Sequence, residues 1–368
     1  MKRRPFLLIV VALLYLANPC PAQAELNWVI QTVDSERDVG RYTSLALDVV
    51  GNPHISYRGT GLEYAAFDGS AWDIETLVDA GSPRFMSLAL DSGSRPRVSY
   101  YDWTKSSLKY AAFDGSAWNI QTVDYEGVVG NWPSLALDSS DNPHISYYDD
   151  RNGALKYAAF DGSWAIQSVD STGYVFGHTS LALDSSGNPH ISYYGIGELK
   201  YADFDGSGWT FQIIDSSGNV GASTSLALDS SGNPHISYYD LTNDDLKYAA
   251  FDGSAWDIET VDSEGHVGSH TSLALDSSSN PHISYYDSTN HDLKYAAFDG
   301  SAWDIETVDS EGHVGSYTSL ALDSSGNTHI SYYDSTNQDL KYAFVPEPAT
   351  LLLLGLGGIA LLRRRRQA

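Results

Sequence analysis

The chain is short of cysteine, of basic residues and of helical periodicity, and each shortage excludes a class of protein. Cys20 is the single cysteine among 368 residues, so a disulfide framework and any cysteine-based zinc or iron–sulfur site are excluded. Lysine and arginine number 21 against 47 acidic residues, a formal net charge of −26, whereas a nucleic-acid-binding protein needs a basic face. No segment between the two termini keeps a helical period over about three turns, which excludes helical folds.

The sequence instead contains a repeat. The string Ser-Leu-Ala-Leu-Asp occurs seven times, at intervals of 43 to 47 residues, and a period near 46 suits a four-stranded propeller blade. Each unit holds four short segments that alternate or are rich in β-branched and aromatic residues, with turn-forming residues between them. The copies begin at Ser44, Ser87, Ser134, Ser180, Ser225, Ser272 and Ser319.

The phase of the repeat predicts a closed ring. The repeat region starts with a fourth strand alone, residues 28–33, and ends with a third strand, residues 340–344. One unit is therefore split between the two ends, and pairing of its two parts would remove the open sheet edge. We predict an all-β, seven-bladed β-propeller over residues 25–344, with four antiparallel strands per blade and the last blade closed by the N-terminal strand.

In period and phase the region resembles seven-bladed β-propellers, with closure similar to that of WD-repeat proteins. The resemblance covers residues 26–344. The Gly-His and Trp-Asp signatures of WD repeats, the kelch pattern and sialidase-type Asp boxes are all missing. The resemblance therefore implies a fold and no propeller enzyme family.

Residues 1–24 have the features of a secretory signal peptide. A basic start precedes an apolar stretch, and Ala22 and Ala24 form a small-residue cleavage site. Cleavage after Ala24 would remove the only cysteine.

Residues 345–368 form a second targeting segment. The motif Pro346-Glu347-Pro348 precedes an apolar run, residues 349–362, that would extend only about 21 Å as a helix, less than the hydrocarbon core of a bilayer. A basic tail follows, made of Arg363, Arg364, Arg365 and Arg366.

This segment resembles the PEP-CTERM sorting signal of Gram-negative bacteria. The resemblance implies processing by an exosortase, a transient inner-membrane-anchored precursor, and delivery to the cell surface or the extracellular matrix. Without both ends, the chain has 14 basic and 46 acidic side chains, a net charge of −32.

Several residue types recur once per blade, and each has a structural and a functional interpretation. Histidines such as His54 are expected to hydrogen-bond beside a turn rather than to bind metal, and the Asp-Ser-Ser-Gly-Asn segments to be turns. Tyrosine pairs either pack between blades or stack on a sugar. Repeated lysines are expected to face an acid on an adjacent strand, for example Asp287 for Lys294. A structural calcium ion between the blades is left as an open alternative. No other cofactor and no metal site is predicted.

Basic residues outside the lysine series are concentrated in the first two blades. We treat them as a candidate anion or ligand patch for a uronate or sulfated polymer, with drift of the less regular repeats as the alternative. They are Arg37, Arg41, Arg58, Arg84, Arg95, Arg97 and Lys105.

The blades are nearly identical, which argues against a single catalytic pocket. Residues 254–278 and 301–325 differ only at His270 and Tyr317. We predict an exported, non-catalytic module that binds carbohydrate, with no catalytic residue. The alternatives are a protein-interaction scaffold on the cell surface and a propeller-fold polysaccharide lyase or glycosidase, which unique polar residues at the ring axis would favour.

Overall fold

The computed structural model describes residues 26–78, 81–172, 175 and 177–346. Both targeting segments lie outside these residues except for Val345 and Pro346. The described residues form 28 strands and no helix, and therefore none long and apolar enough to cross a membrane.

The strands are short, five to nine residues each, because each alternating segment soon meets a turn signal. In chain order they are β1 (Val29–Asp34), β2 (Arg41–Leu47), β3 (Pro53–Arg58), β4 (Leu62–Phe67), β5 (Trp72–Val78), β6 (Pro83–Leu90), β7 (Pro96–Asp102), β8 (Ser107–Phe113), β9 (Trp118–Asp124), β10 (Val129–Leu137), β11 (Pro143–Asp149), β12 (Ala154–Phe160), β13 (Trp164–Asp170), β14 (Thr179–Leu183), β15 (Pro189–Tyr194), β16 (Leu199–Phe204), β17 (Trp209–Asp215), β18 (Val220–Leu228), β19 (Pro234–Asp240), β20 (Asp245–Phe251), β21 (Trp256–Asp262), β22 (Val267–Leu275), β23 (Pro281–Asp287), β24 (Asp292–Phe298), β25 (Trp303–Asp309), β26 (Val314–Leu322), β27 (Thr328–Asp334) and β28 (Asp339–Phe344).

These strands form seven four-stranded antiparallel sheets, the predicted blades. Blade 1 contains β2 to β5, and the following strands fill blades 2 to 6 in groups of four. Blade 7 has the order β1-β28-β27-β26, and Val29 pairs with Phe344, so the N-terminal strand closes the ring as predicted. The first strands of successive blades contact one another in a closed cycle around a central channel.

The serine of each Ser-Leu-Ala-Leu-Asp string joins two blades. The backbone N–H of Leu88 in blade 2 donates to Oγ of Ser44 in blade 1, at 2.9 Å. The contact recurs at every blade junction and closes with Leu45 N–H donating to Ser319 Oγ at 3.0 Å. The recurring serine therefore supplies one hydrogen bond between each pair of neighbouring blades.

The hydrophobic core lies between the blades. Seven clusters combine buried side chains of two successive blades, for example Leu108 and Tyr110 of blade 2 with Ile145 and Tyr147 of blade 3. The tryptophan that begins each outer strand packs edge-on against a tyrosine of a neighbouring blade, as Trp164 does on Tyr110 at 5.4 Å. These tryptophans therefore pack at the blade periphery.

Candidate functional site

Two successive positions per blade line a cavity in the central channel, which has a volume of about 380 Å³. The first of them is the second residue before each repeated serine. All seven side chains are half-buried. The seven residues are Tyr42, Phe85, Trp132, His178, Ser223, His270 and Tyr317.

The backbone at this position is left-handed in every blade. The φ angles of the seven residues lie between 47° and 57°, a region that costs a non-glycine residue about 1–2 kcal/mol. Here the inner strand loses register with its neighbour, as between Asn131 and Ser134 in blade 3. Such a bulge redirects a side chain. The strain is retained at the position whose side chains line the channel.

Six of the seven side chains form an arc of rings, which we call the collar. Successive ring centroids lie 4.7 Å apart for His270 and Tyr317 and 4.5 Å for Tyr317 and Tyr42. The arc continues from Tyr42 to Phe85 at 4.8 Å, to Trp132 at 4.6 Å and to His178 at 5.0 Å. Ser223 interrupts it between the two histidines, and we call this gap the notch.

The notch is flanked by neutral imidazoles. Burial lowers the pKa of His270 to about 4, and burial together with the charge of His270 lowers the pKa of His178 to about 4. Nδ1 of each ring is buried and has no hydrogen-bond partner among the described residues. The cavity lining contains no Asp, Glu, Lys or Arg in the described part of the chain.

The residue next to the collar connects the blades. Thr224 Oγ1 donates to Ser192 Oγ at 2.7 Å, and threonines in blades 1, 4, 6 and 7 contact the matching serine of the preceding blade. Met86 and Pro133 replace threonine in blades 2 and 3. The serines that would face these threonines are Ser56 and Ser99 of the preceding blades. Each has a buried hydroxyl with no hydrogen-bond partner among the described residues.

Sequence reasoning did not identify the collar, although one signal was available. The single difference between residues 254–278 and 301–325, His270 against Tyr317, lies in it. Comparing the same position in all seven repeats finds the remaining members.

The predicted basic patch is divided between two edges of the ring. Arg95 and Arg97 lie beside the turn after β6, and both bind the buried carboxylate of Asp91, at 2.8 and 2.7 Å. The other members lie toward the opposite end of the strands of blades 1 and 2, because neighbouring strands are antiparallel. They are Arg37, Arg41, Arg58, Arg84 and Lys105.

Within that second group, two arginines have different surroundings. Arg41 donates to Asp38 at 3.1 Å and to the Tyr333 hydroxyl at 3.2 Å. The Arg84 guanidinium lies 3.9 Å from the ring centroid of the exposed Trp103, and Arg84 forms no ion pair with any described residue. Anion binding by this group remains a proposal.

The recurring histidines have structural partners. Nε2 of His54 lies 3.8 Å from Asp48 Oδ2, and its Nδ1 contacts the Tyr64 hydroxyl. The same arrangement recurs in blades 3 to 7, and Arg97 replaces the histidine in blade 2. No group of three or more His, Cys, Asp or Glu in the described part of the chain could hold a metal ion.

Five of the six repeated lysines, all except Lys109, bind an acid from the preceding blade. Lys294 contacts Asp262 at 2.5 Å, and the hydroxyl of Tyr285 donates to the same carboxylate at 2.6 Å. The predicted partner of Lys294, Asp287, was therefore wrong, because the outer strand of one blade ends beside the middle strands of the next. The equivalent of the predicted pair does form in two other blades, Lys156 with Asp149 at 4.0 Å and Lys341 with Asp334 at 3.6 Å. Tyr285, the first of its tyrosine pair, is fully buried and unavailable to a sugar, as are its equivalents Tyr57, Tyr147, Tyr193, Tyr238 and Tyr332.

Comparison with known families identifies the C-terminal segment. The family model described as the PEP-CTERM protein-sorting motif matches residues 344–366. The chain thus carries a PEP-CTERM sorting signal on a seven-bladed β-propeller, which implies an exported protein that an exosortase handles at the membrane. No curated protein matches the chain.

Solved structures support the propeller fold. The SapL1 lectin in complex with alpha methyl fucoside shares 13% identity over 73% of this chain and 97% of that chain, with a TM-score of 0.51. YCF48 bound to D1 peptide shares 14% sequence identity over 90% of this chain and 100% of that chain, with a TM-score of 0.58. Streptogramin B lyase shares 6% sequence identity over 86% of this chain and 97% of that chain, with a TM-score of 0.61. At these identities the likeness shows the fold alone.

Proposed function

We propose that this protein is an exported, non-catalytic carbohydrate-binding propeller of the cell surface or extracellular matrix, with one saccharide site per chain at the collar. The observation that carries the proposal is the collar itself. The channel-lining position two residues before the repeated serine varies among the blades, and six of the seven residues there have flat rings. A cavity of about 380 Å³ lies at the small end of ligand sites, a size suited to one or two sugar residues.

The chemistry of the collar suits a sugar. Aromatic side chains supply rigid apolar area for the carbon-bound face of a pyranose, and Trp and Tyr do so at low entropic cost. His178, Ser223 and His270 add hydrogen-bonding groups at one side. A lectin of propeller fold, SapL1, binds a methyl fucoside, which supports carbohydrate as a ligand class for such a scaffold.

The proposal is tested by titration calorimetry of residues 25–346, which include both strands that close the ring, against fragments of the producing cell's exopolysaccharide. We expect one site per chain and a loss of binding in Trp132→Ala. Trp103→Ala is the matched control, because Trp103 is exposed and outside the collar. Several equivalent sites, or binding that Trp132→Ala leaves intact, would contradict a collar site.

The same titration examines the basic patch. If Trp103→Ala and Arg84→Gln abolish binding while Trp132→Ala does not, the ligand sits on the arginine group beside blade 2. No heat with any saccharide would favour the protein-interaction scaffold instead.

A catalytic function has one observation in its favour, the three non-repeated polar residues His178, Ser223 and His270 at the axis. Two features weigh against it. Imidazoles with a pKa of about 4 are weak general bases at neutral pH. A glycosidase needs two carboxyl groups across one cleft, and the described cavity lining has none. Falling polymer size during the titration would identify an enzyme.

A further inference from the structure

The notch combines two features that the rest of the collar lacks. It has the smallest side chain of the seven, Ser223, and it is bordered on both sides by an imidazole with a buried nitrogen that has no hydrogen-bond partner among the described residues. A buried polar atom without a partner costs about 1–3 kcal/mol. Residues that avoid this cost occupy the same position in other blades, where Tyr, Phe and Trp occur.

The electrical character of the notch restricts what it can receive. No charged side chain is among the described residues that line the cavity, and both imidazoles are neutral above the acidic range. A carboxylate or sulfate entering here would lose its hydration without gaining a cation, which is strongly unfavourable. A hydroxyl group can both donate and accept, so it suits a neutral imidazole in either tautomer.

The two imidazoles flank a gap one residue wide, the position of Ser223. The rings beside them, Trp132 next to His178 and Tyr317 next to His270, lie within 5.0 Å centroid to centroid. A ligand that contacts both imidazoles therefore presents two polar groups at one edge and apolar surface to the remaining arc. A pyranose with two neighbouring hydroxyl groups has this distribution.

We propose that the notch is the specificity subsite of the collar, and that it binds two adjacent hydroxyl groups of one neutral sugar residue, one at His178 and one at His270, with Ser223 providing the space and a third hydroxyl contact. This rests on the proposed carbohydrate function and adds the ligand class: a neutral hexose or deoxyhexose, in preference to a uronate. The acidic polymers considered for the arginine patch would not use this subsite.

The test pairs single hydroxyl deletions in the ligand with single substitutions in the notch. The probes are the methyl pyranosides of glucose, mannose, galactose and fucose, methyl glucuronide, and the monodeoxy forms of whichever neutral glycoside binds. The variants are His178→Phe and His270→Tyr, which introduce the residues of blades 2 and 7 and should therefore fold. His266→Phe is the control, because His266 is exposed and does not line the cavity.

We expect each notch variant to weaken binding by roughly tenfold, the effect of one lost hydrogen bond, with His266→Phe unchanged. Removing one particular ligand hydroxyl should weaken binding to the wild-type chain but not to the variant that lacks its imidazole partner, and the two hydroxyls found this way should be adjacent. Methyl glucuronide should bind more weakly than methyl glucoside.

Two results would overturn the inference. If Trp132→Ala abolishes binding while both notch variants bind every glycoside as the wild type does, the collar binds sugar but the notch does not select it. If the wild-type chain binds no glycoside and no polysaccharide fragment, the proposed function fails and the subsite fails with it.

Discussion

At the scale of single residues, small changes between copies alter what a side chain does. Ser56 and Ser192 occupy the same position in blades 1 and 4, and both are fully buried. Ser192 accepts a hydrogen bond from Thr224, whereas Ser56 faces the blade in which Met86 replaces the threonine. The same residue therefore stabilises one blade junction and leaves a polar group unpaired at another.

We predict opposite outcomes for alanine at these two serines. Ser56→Ala should leave the free energy of unfolding unchanged or raise it by about 1 kcal/mol, because it removes an unpaired buried hydroxyl. Ser192→Ala should lower it by about 1–2 kcal/mol, because the Thr224 hydroxyl loses its partner. Urea denaturation of both variants measures the difference, and equal destabilisation by the two would contradict the assignment.

The collar histidines predict a pH dependence of stability. Their pKa is lowered to about 4 in the folded chain against about 6.5 unfolded, so the unfolded chain binds protons first as pH falls. Their contribution is complete above pH 6.5 and is lost as pH falls toward 4. Replacing both, as His178→Phe with His270→Tyr, should reduce the loss of stability between pH 6.5 and 4 by on the order of 1–3 kcal/mol.

Thermal unfolding of the parent and the double variant across this range measures the effect. The six histidines beside the turns also have a lowered pKa from burial, so the parent alone cannot isolate the collar. Parallel pH profiles for the two proteins would contradict the buried, neutral state of the collar histidines.

At the scale of the strand, the ends of five outer strands, β9, β13, β17, β21 and β25, are joined to the next blade by an ion pair. Burial disfavours the charge on Asp262, but hydrogen bonds from Lys294 and Tyr285 outweigh it and hold the pKa of that carboxyl below its usual range. The side chain of Asp262 is 3% exposed, so its charge depends on these partners.

Lys294→Met should therefore destabilise the protein by about 3–5 kcal/mol, since it leaves a buried carboxylate without a cation. Lys109→Met is the matched control in blade 2, where the ammonium donates to the Thr122 hydroxyl at 2.6 Å in an exposed position. It should cost less than about 1 kcal/mol. Comparable losses in the two variants, measured by denaturant unfolding, would contradict a specific role for the Asp262 pair.

At the scale of the whole molecule, closure depends on one strand. β1 pairs with β28 from Val29 to Asp34, and without it β28 would have an unpaired edge. The propeller would also lose a contact of the neighbouring Trp28, whose indole packs against Tyr295 with the ring centroids 5.3 Å apart.

We predict that a chain lacking residues 25–34 associates through this edge. Light scattering after size exclusion should show dimers or larger species, and added β1 peptide should restore the monomer. A deletion that stays monomeric and keeps the unfolding midpoint of the full propeller would show that the closing strand is dispensable.

The blade number, the strand order and the closing strand could all be predicted from the sequence. They follow from local signals, the repeated string, period-2 alternation and turn residues, each of which acts within one blade. The sorting signal was predictable for the same reason, since its motif, apolar run and arginines are contiguous.

Only the tertiary structure decided which distant residues meet. The collar position recurs in seven blades, with successive members 43 to 47 residues apart along the chain. A left-handed backbone at each of these residues brings their side chains to one cavity. Lys294 binds an acid 32 residues earlier because blades pack face to face. The predicted basic patch is divided between two edges of the propeller, because antiparallel strands carry residues that are close in sequence to opposite ends of a blade. Local sequence patterns specify strands and turns, whereas the closure of the ring determines which side chains surround its axis.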